Sequence, residues 1–143
     1  MALSPVISEK IRQSFDAQAM MHTIGARIDA IEPGQVSLSA PILPSCTQQA
    51  GYGHAALSFA LGDTAAGYSA LSVMPDEAEV LTSEIKINLI APAKGDRLVA
   101  RGRVIKPGRR LVIVQSDVYA VENGEETHIA VCLGTMVPVM PRK

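Results

Sequence analysis

The chain has 143 residues, 48% of them apolar, 19% charged and only 3% aromatic, with a formal net charge of −1. That is one domain's worth of chain, long enough to bury an aliphatic core without a disulfide or metal staple. The near-neutral balance excludes a global attraction to nucleic acid or anionic lipid, and no apolar run reaches the ~20 residues that span a bilayer.

The N-terminus lacks a signal-like apolar stretch, so a cytoplasmic location is expected, with neither membrane nor nucleic acid as a partner. Cys46 and Cys132 have neither metal nor redox spacing and read as small buried hydrophobes in a reducing compartment. A mean hydropathy of +0.20 is high for a soluble monomer, which points to apolar surface shared between subunits.

In chain order, Pro5 to Met20 carries Val6, Ile7, Ile11, Phe15, Ala19 and Met20 at helical spacing, with Ser4 as N-cap and Pro5 in the first turn. Extended segments are expected from Thr23 to Ile31 and from Gln35 to Ile42, joined at Glu32-Pro33-Gly34 as a hairpin. Pro41 to Gly53 reads as a loop. His54 to Leu71 is almost uncharged and rich in Ala and Gly, so it reads as a helix buried on every side. Four strand-like runs follow: Val80–Ile90, Arg97–Lys106, Arg110–Val121 and Thr127–Val139. Turn signals at Pro92–Gly95, Pro107-Gly108 and Asn123-Gly124 make them a four-strand antiparallel meander. The order is that of an α+β domain.

Asp63 is the one charged side chain in the long helix. Burial of an ionised carboxylate without partners is costly, so Asp63 either holds the core through hydrogen bonds or serves as base or nucleophile at a site. His54 marks the helix start, where free N–H groups and the dipole favour negative charge. Nine residues separate His54 from Asp63, which at helical rise and twist is ~13 Å and roughly opposite faces. One helix cannot bring both to one atom. Two antiparallel copies can, each presenting its N-terminus beside the other's Asp63, which makes two composite sites per homodimer.

The run Gln48-Gln-Ala-Gly-Tyr-Gly-His54-Ala-Ala-Leu-Ser-Phe-Ala-Leu-Gly-Asp63 resembles the signature of hotdog-fold acyl-CoA thioesterases, closest to the phenylacetic acid degradation (PaaI-like) type. That group has Asn or Gln six residues before a His-Gly-Gly, and Asp or Glu nine after the His. The stretch Ser83–Asp96 and the run Lys106-Pro-Gly-Arg-Arg-Leu111 resemble it too.

The resemblance implies one hotdog domain over 1–143, with an N-terminal helix over 1–20 and the core over 20–139. It implies an antiparallel sheet wrapped around a central helix, a homodimer assembled into a homotetramer, and hydrolysis of acyl-CoA to free acid and CoA without a cofactor or metal. Carried over, Asp63 is the base or nucleophile, the Ala55 N–H polarises the carbonyl in the neighbouring subunit, Gln48 contacts the reacting group and Thr82 orients water. His54 bonds backbone at the helix start beside the substrate. Ala55 and Ala56 replace both glycines of the His-Gly-Gly, a change that keeps the backbone N–H and alters acyl fit. Lys106, Arg109 and Arg110 are either solvated turn charges or contacts to CoA phosphates. A non-catalytic acyl-CoA-binding module and, less favoured by the nine-residue spacing, a hotdog hydratase are the alternatives.

Overall fold

The computed structural model describes residues 3–142. In chain order it contains α1 (Pro5–Asp16), α2 (Ala19–Thr23), β1 (Arg27–Glu32), β2 (Gln35–Pro41), a single 3-10 turn (Pro44–Cys46), α3 (Ala55–Leu71), β3 (Glu79–Leu89), β4 (Arg97–Pro107), β5 (Val112–Glu122) and β6 (Glu125–Val139). The six strands form one antiparallel sheet in the order β1-β2-β4-β5-β6-β3, which curls around α3. This is the hotdog arrangement that the sequence resemblance implies.

α1 starts at Pro5 after Ser4 and buries Ile7, Ile11 and Phe15. It ends at Asp16 rather than running on to Met20. A straight rod continuing that stripe would turn Gln18 and His22 inward. The break at Ala17 and Gln18 instead starts α2, which buries Met21, with Ile24 buried just after it. α2 and a left-handed Gly25 at φ 70° occupy the stretch where an extended segment from Thr23 was expected, so β1 begins at Arg27. The hairpin of β1 and β2 forms as expected around Pro33 and Gly34. β5 begins at Val112, two residues later than its sequence pattern suggests.

The four-strand meander is not what forms. β4, β5 and β6 do run as neighbours, with Asn123 (φ 52°) and Gly124 (φ 80°) supplying the tight turn between the last two. β3, however, pairs with β6 at the far edge, and β4 pairs on its other side with β2. The connection after β3 crosses the ends of the intervening strands. Ile90 N–H donates to Ile129 O at 2.8 Å and Asp96 N–H to Val121 O at 2.8 Å, and Ile42 N–H then donates to Asp96 O at 2.9 Å. Gly95 makes this passage possible: its φ is 145°, and a Cβ there would lie 2.3 Å from Val121 O. The turn signals mark a reversal of direction but carry no information about which strand lies alongside.

α3 packs its second half, Ala65 to Leu71, entirely into the core. Its first half does not match the expected all-round burial. Ala55, Ala56 and Phe59 are exposed and Ala60, Asp63 and Thr64 half-buried, because no element among the described residues covers that stripe. The helix sits very close to the sheet, since a Cβ on Gly102 would lie 2.4 Å from Ala65 O. Three serines bind it there. Ser69 Oγ donates to Ala65 O at 2.7 Å and accepts the Val36 N–H of β2 at 2.9 Å. Ser72 Oγ accepts the Gly34 N–H at 2.7 Å, and Ser116 Oγ of β5 donates to Gly62 O at 2.7 Å.

Ser69→Ala leaves the buried Val36 N–H without an acceptor and is expected to cost about 1–3 kcal/mol. Chemical denaturation measures this, and an unchanged midpoint would show that the hydroxyl does not hold the helix to β2.

Candidate active site

The start of α3 is organised by His54. It is the N-cap residue, with extended φ −64° and ψ 144°. Its Nδ1 accepts the Ala56 N–H at 2.9 Å and its carbonyl accepts the Leu57 N–H at 2.9 Å. The proton of this imidazole therefore stands on Nε2. The Ala55 N–H is left with no partner among the described residues, at the positive end of the helix dipole.

The preceding loop is tied down from both ends. Gln48 Oε1 accepts the N–H groups of Ala50 and Tyr52, and Gly53 N–H donates to Ala93 O at 2.8 Å in the connection after β3. Between this loop and the 89–93 segment lies a cleft of about 610 Å³, lined on the helix side by Gln48, His54, Ala55 and Ser58. Ala56 is turned away from it. That side chain borders a neighbouring hollow of about 270 Å³ with Met20, Cys46 and Leu57.

Asp63 lies elsewhere. Its Oδ1 accepts a hydrogen bond from Thr82 Oγ1 of β3 at 2.7 Å, and Met136 Sδ lies 3.2 Å from the same hydroxyl. The half-buried carboxylate opens on a separate small hollow of about 130 Å³, shared with Gln18, Thr64, Tyr68 and Thr82. The structure thus joins Asp63 to Thr82, and Gln48 to His54 and Ala55, but keeps the two groups apart within one chain. Lys106, Arg109 and Arg110 are exposed and form no ion pair among the described residues. Val104, just before them, and Val73, just after α3, both lie beside Gly34, which puts this turn at the opposite end of α3 from the cleft.

Two residues that border Asp63 carry no sequence signal. Gln18 Nε2 donates to Tyr68 Oη at 2.6 Å, and Ser14 Oγ shares a hydrogen bond with the same phenol at 2.9 Å. Cys132 lies beneath the same stretch of helix but is not a nucleophile. Burial first, then the negative charges of Asp63 and Asp117, push its thiol up to about 11, so it keeps its proton near neutral pH. Among the described residues there is no group of three or more His, Cys, Asp or Glu side chains placed to hold a metal ion.

His54→Ala removes the side-chain acceptor at the helix start and is expected to lower stability by about 1 kcal/mol, with His54→Asn restoring most of it. Thermal melting distinguishes this from a His54 that caps nothing, for which both variants would melt like the wild type.

The thioesterase superfamily model matches residues 50–127, more than half of the chain, including Ala55, Asp63 and Thr82. A thioesterase family protein of Silicibacter pomeroyi is 42% identical and superimposes with a TM-score of 0.93, over 94% of this chain and 99% of that one. The E. coli PaaI protein, from the phenylacetic acid degradation operon, has the same fold at a TM-score of 0.84 and 19% identity, over 96% of each chain. So has the BH2602 protein of Bacillus halodurans, crystallised with CoA, at a TM-score of 0.78 and 21% identity, over 96% of this chain and 91% of that one.

Proposed function

Because this chain belongs to the thioesterase superfamily, we propose that it hydrolyses acyl-CoA thioesters to a free acid and CoA at a site shared between two copies. The observation that carries this reading is the division of labour along α3: an unpartnered amide opens on one hollow, and a hydrogen-bonded carboxylate opens on another.

The dimer supplies what one chain lacks. β3 is an 11-residue edge strand, and Leu81, Leu89 and Ile90 along it are exposed, as is Phe59 on the uncovered stripe of α3. A second copy antiparallel to the first covers this apolar surface and completes the unpaired strand edge. Pairing two such dimers into a tetramer belongs to the same reading.

In the composite site the thioester carbonyl lies at the Ala55 N–H of one protomer and faces Asp63 of its partner. Thr82 already occupies Oδ1, so Oδ2 is the oxygen that takes a proton from water or attacks the carbonyl itself. Negative charge developing on the carbonyl oxygen is held by the amide as the C–S bond breaks. On the base route the proton taken from water passes from Asp63 to the departing sulfur; on the nucleophilic route CoA leaves as thiolate, and water then hydrolyses the acyl–Asp63 anhydride to the free acid, its proton ending on the CoA thiol. Gln48 keeps its Nε2 free for the substrate, because its Oε1 is spent on the loop. Ala55 is the first residue of the helix, where helical φ admits a methyl group without strain. The replacement of glycine therefore leaves the donor intact. Lys106, Arg109 and Arg110 of the protomer that supplies Asp63, whose far helix end extends past the other's Ala55 in an antiparallel pair, are read as contacts for CoA phosphates, which Arg forks suit. Both cysteines are free, in keeping with a reducing compartment such as the cytoplasm.

A thiol-release screen over short-chain, aryl and medium-chain acyl-CoAs tests the activity. Asp63→Asn is expected to lower turnover by roughly 10²–10⁴-fold, and CoA-ester binding without any release of thiol would instead favour a binding module. The shared site has its own test. Ala55→Pro deletes only the N–H, since proline is accepted at the first helical position after an extended residue. Alone it should be inactive. After co-refolding with equimolar Asp63→Asn chains, half of the dimers are mixed and each holds one intact site, so about a quarter of wild-type activity should return. No recovery would place both groups in one chain.

A further inference from the structure

We propose that the Ser58 hydroxyl is a second oxyanion donor, converging with the Ala55 N–H on the same carbonyl oxygen. This rests on the thioesterase reading above and assigns a further residue to that chemistry.

Ser58 is 1% exposed and lines the cleft; its hydroxyl makes no hydrogen bond among the described residues and is not fully shut off from solvent. The other serines buried against α3 behave differently. Ser69, Ser72 and Ser116 each donate to a backbone carbonyl at 2.6–2.7 Å. A nearly buried hydroxyl without a protein partner is open to a partner supplied from the cleft. A serine within a helix commonly bonds back to the carbonyl four residues earlier, as Ser69 does with Ala65. For Ser58 that carbonyl belongs to His54, which accepts the Leu57 N–H at 2.9 Å, and no bond from the Ser58 hydroxyl to it forms. The hydroxyl is left facing the cleft.

Its direction suits the role. A helical side chain leans toward the helix N-terminus and covers the preceding turn, which for Ser58 is the turn that begins at Ala55. Residues three apart share a face, about 5–6 Å from one another, so one oxygen placed between them reaches both donors at ordinary hydrogen-bond length. During attack the carbonyl oxygen gains negative charge and draws on both. Ser58 keeps its proton throughout and forms no bond to the acyl group. The absence of a histidine beside it and of a Gly-x-Ser-x-Gly turn agrees with a donor rather than a nucleophile.

The test is steady-state hydrolysis of the best acyl-CoA found in the screen by wild type, Ser58→Ala and Ser58→Cys, with a thermal melt of each. Ser58→Ala is nearly isosteric and should melt within a few degrees of the wild type. Its kcat should fall roughly 10²-fold, with KM within about twofold. Ser58→Cys preserves the shape with a much weaker donor and should lose kcat in the same direction; it decides the matter if the alanine variant does not fold. A kcat within twofold of wild type in a folded variant overturns the proposal, as does a rise in KM at unchanged kcat. A wild-type protein inactive on every ester overturns the thioesterase reading itself, and this assignment with it.

Discussion

Eight residues of α-helix hold Asp63 about 12 Å along the axis from the Ala55 amide that opens the same rod, and no rotation of side chains closes that distance. The rest of the molecule is arranged around this stiffness. The second half of α3 is locked to the sheet by close backbone approach and by serine hydroxyls, so the rod cannot bend to shorten the gap. Its first half is left uncovered along one stripe. On the proposed reading, the Ala55 amide and the Asp63 carboxylate, separated by a rigid spacer, become a working pair when a second rod lies alongside.

The crossing of the sheet matters for the same reason. Had β3 lain between its sequence neighbours in a simple meander, its residues would have sat in the middle of the sheet. By pairing with β6 at the edge, it brings Thr82 to 2.7 Å from Asp63. The connection that follows it, residues 89–93, becomes the outer wall of the cleft. One chain reversal thus supplies the partner of the carboxylate, the wall opposite the Ala55 amide and the free strand edge.

The polar inventory is economical. His54 closes one amide with its ring and another with its carbonyl, which leaves Ala55 as the open donor. Gln48 turns its oxygen to the loop and leaves its amino group for the cleft. Cys132, the other group near Asp63 with nucleophilic potential, is kept protonated by burial and by that carboxylate. Each nearby group is therefore occupied, silenced or aimed at a hollow.

Much of this was legible from residues alone. The long helix announced itself by uniform apolarity and its lone acid, the hairpin after β5 by Asn123-Gly124, and α1 by a buried stripe behind Ser4 and Pro5. These follow from rules that act within a few residues: periodicity, turn chemistry and the cost of a buried charge. The spacing of His54 and Asp63 was enough to place the two on opposite faces of the helix, as the proposed two-copy site requires. What required the folded chain were the contacts that join distant segments, namely β3 beside β6, Thr82 on Asp63 from 19 residues away and Gln18 on Tyr68 from 50. The same holds for which face of α3 stayed uncovered, and for Ser58 being buried without a partner. Strand partners and side-chain neighbours of that kind are selected by competition over the whole core, and local patterns carry no record of the outcome.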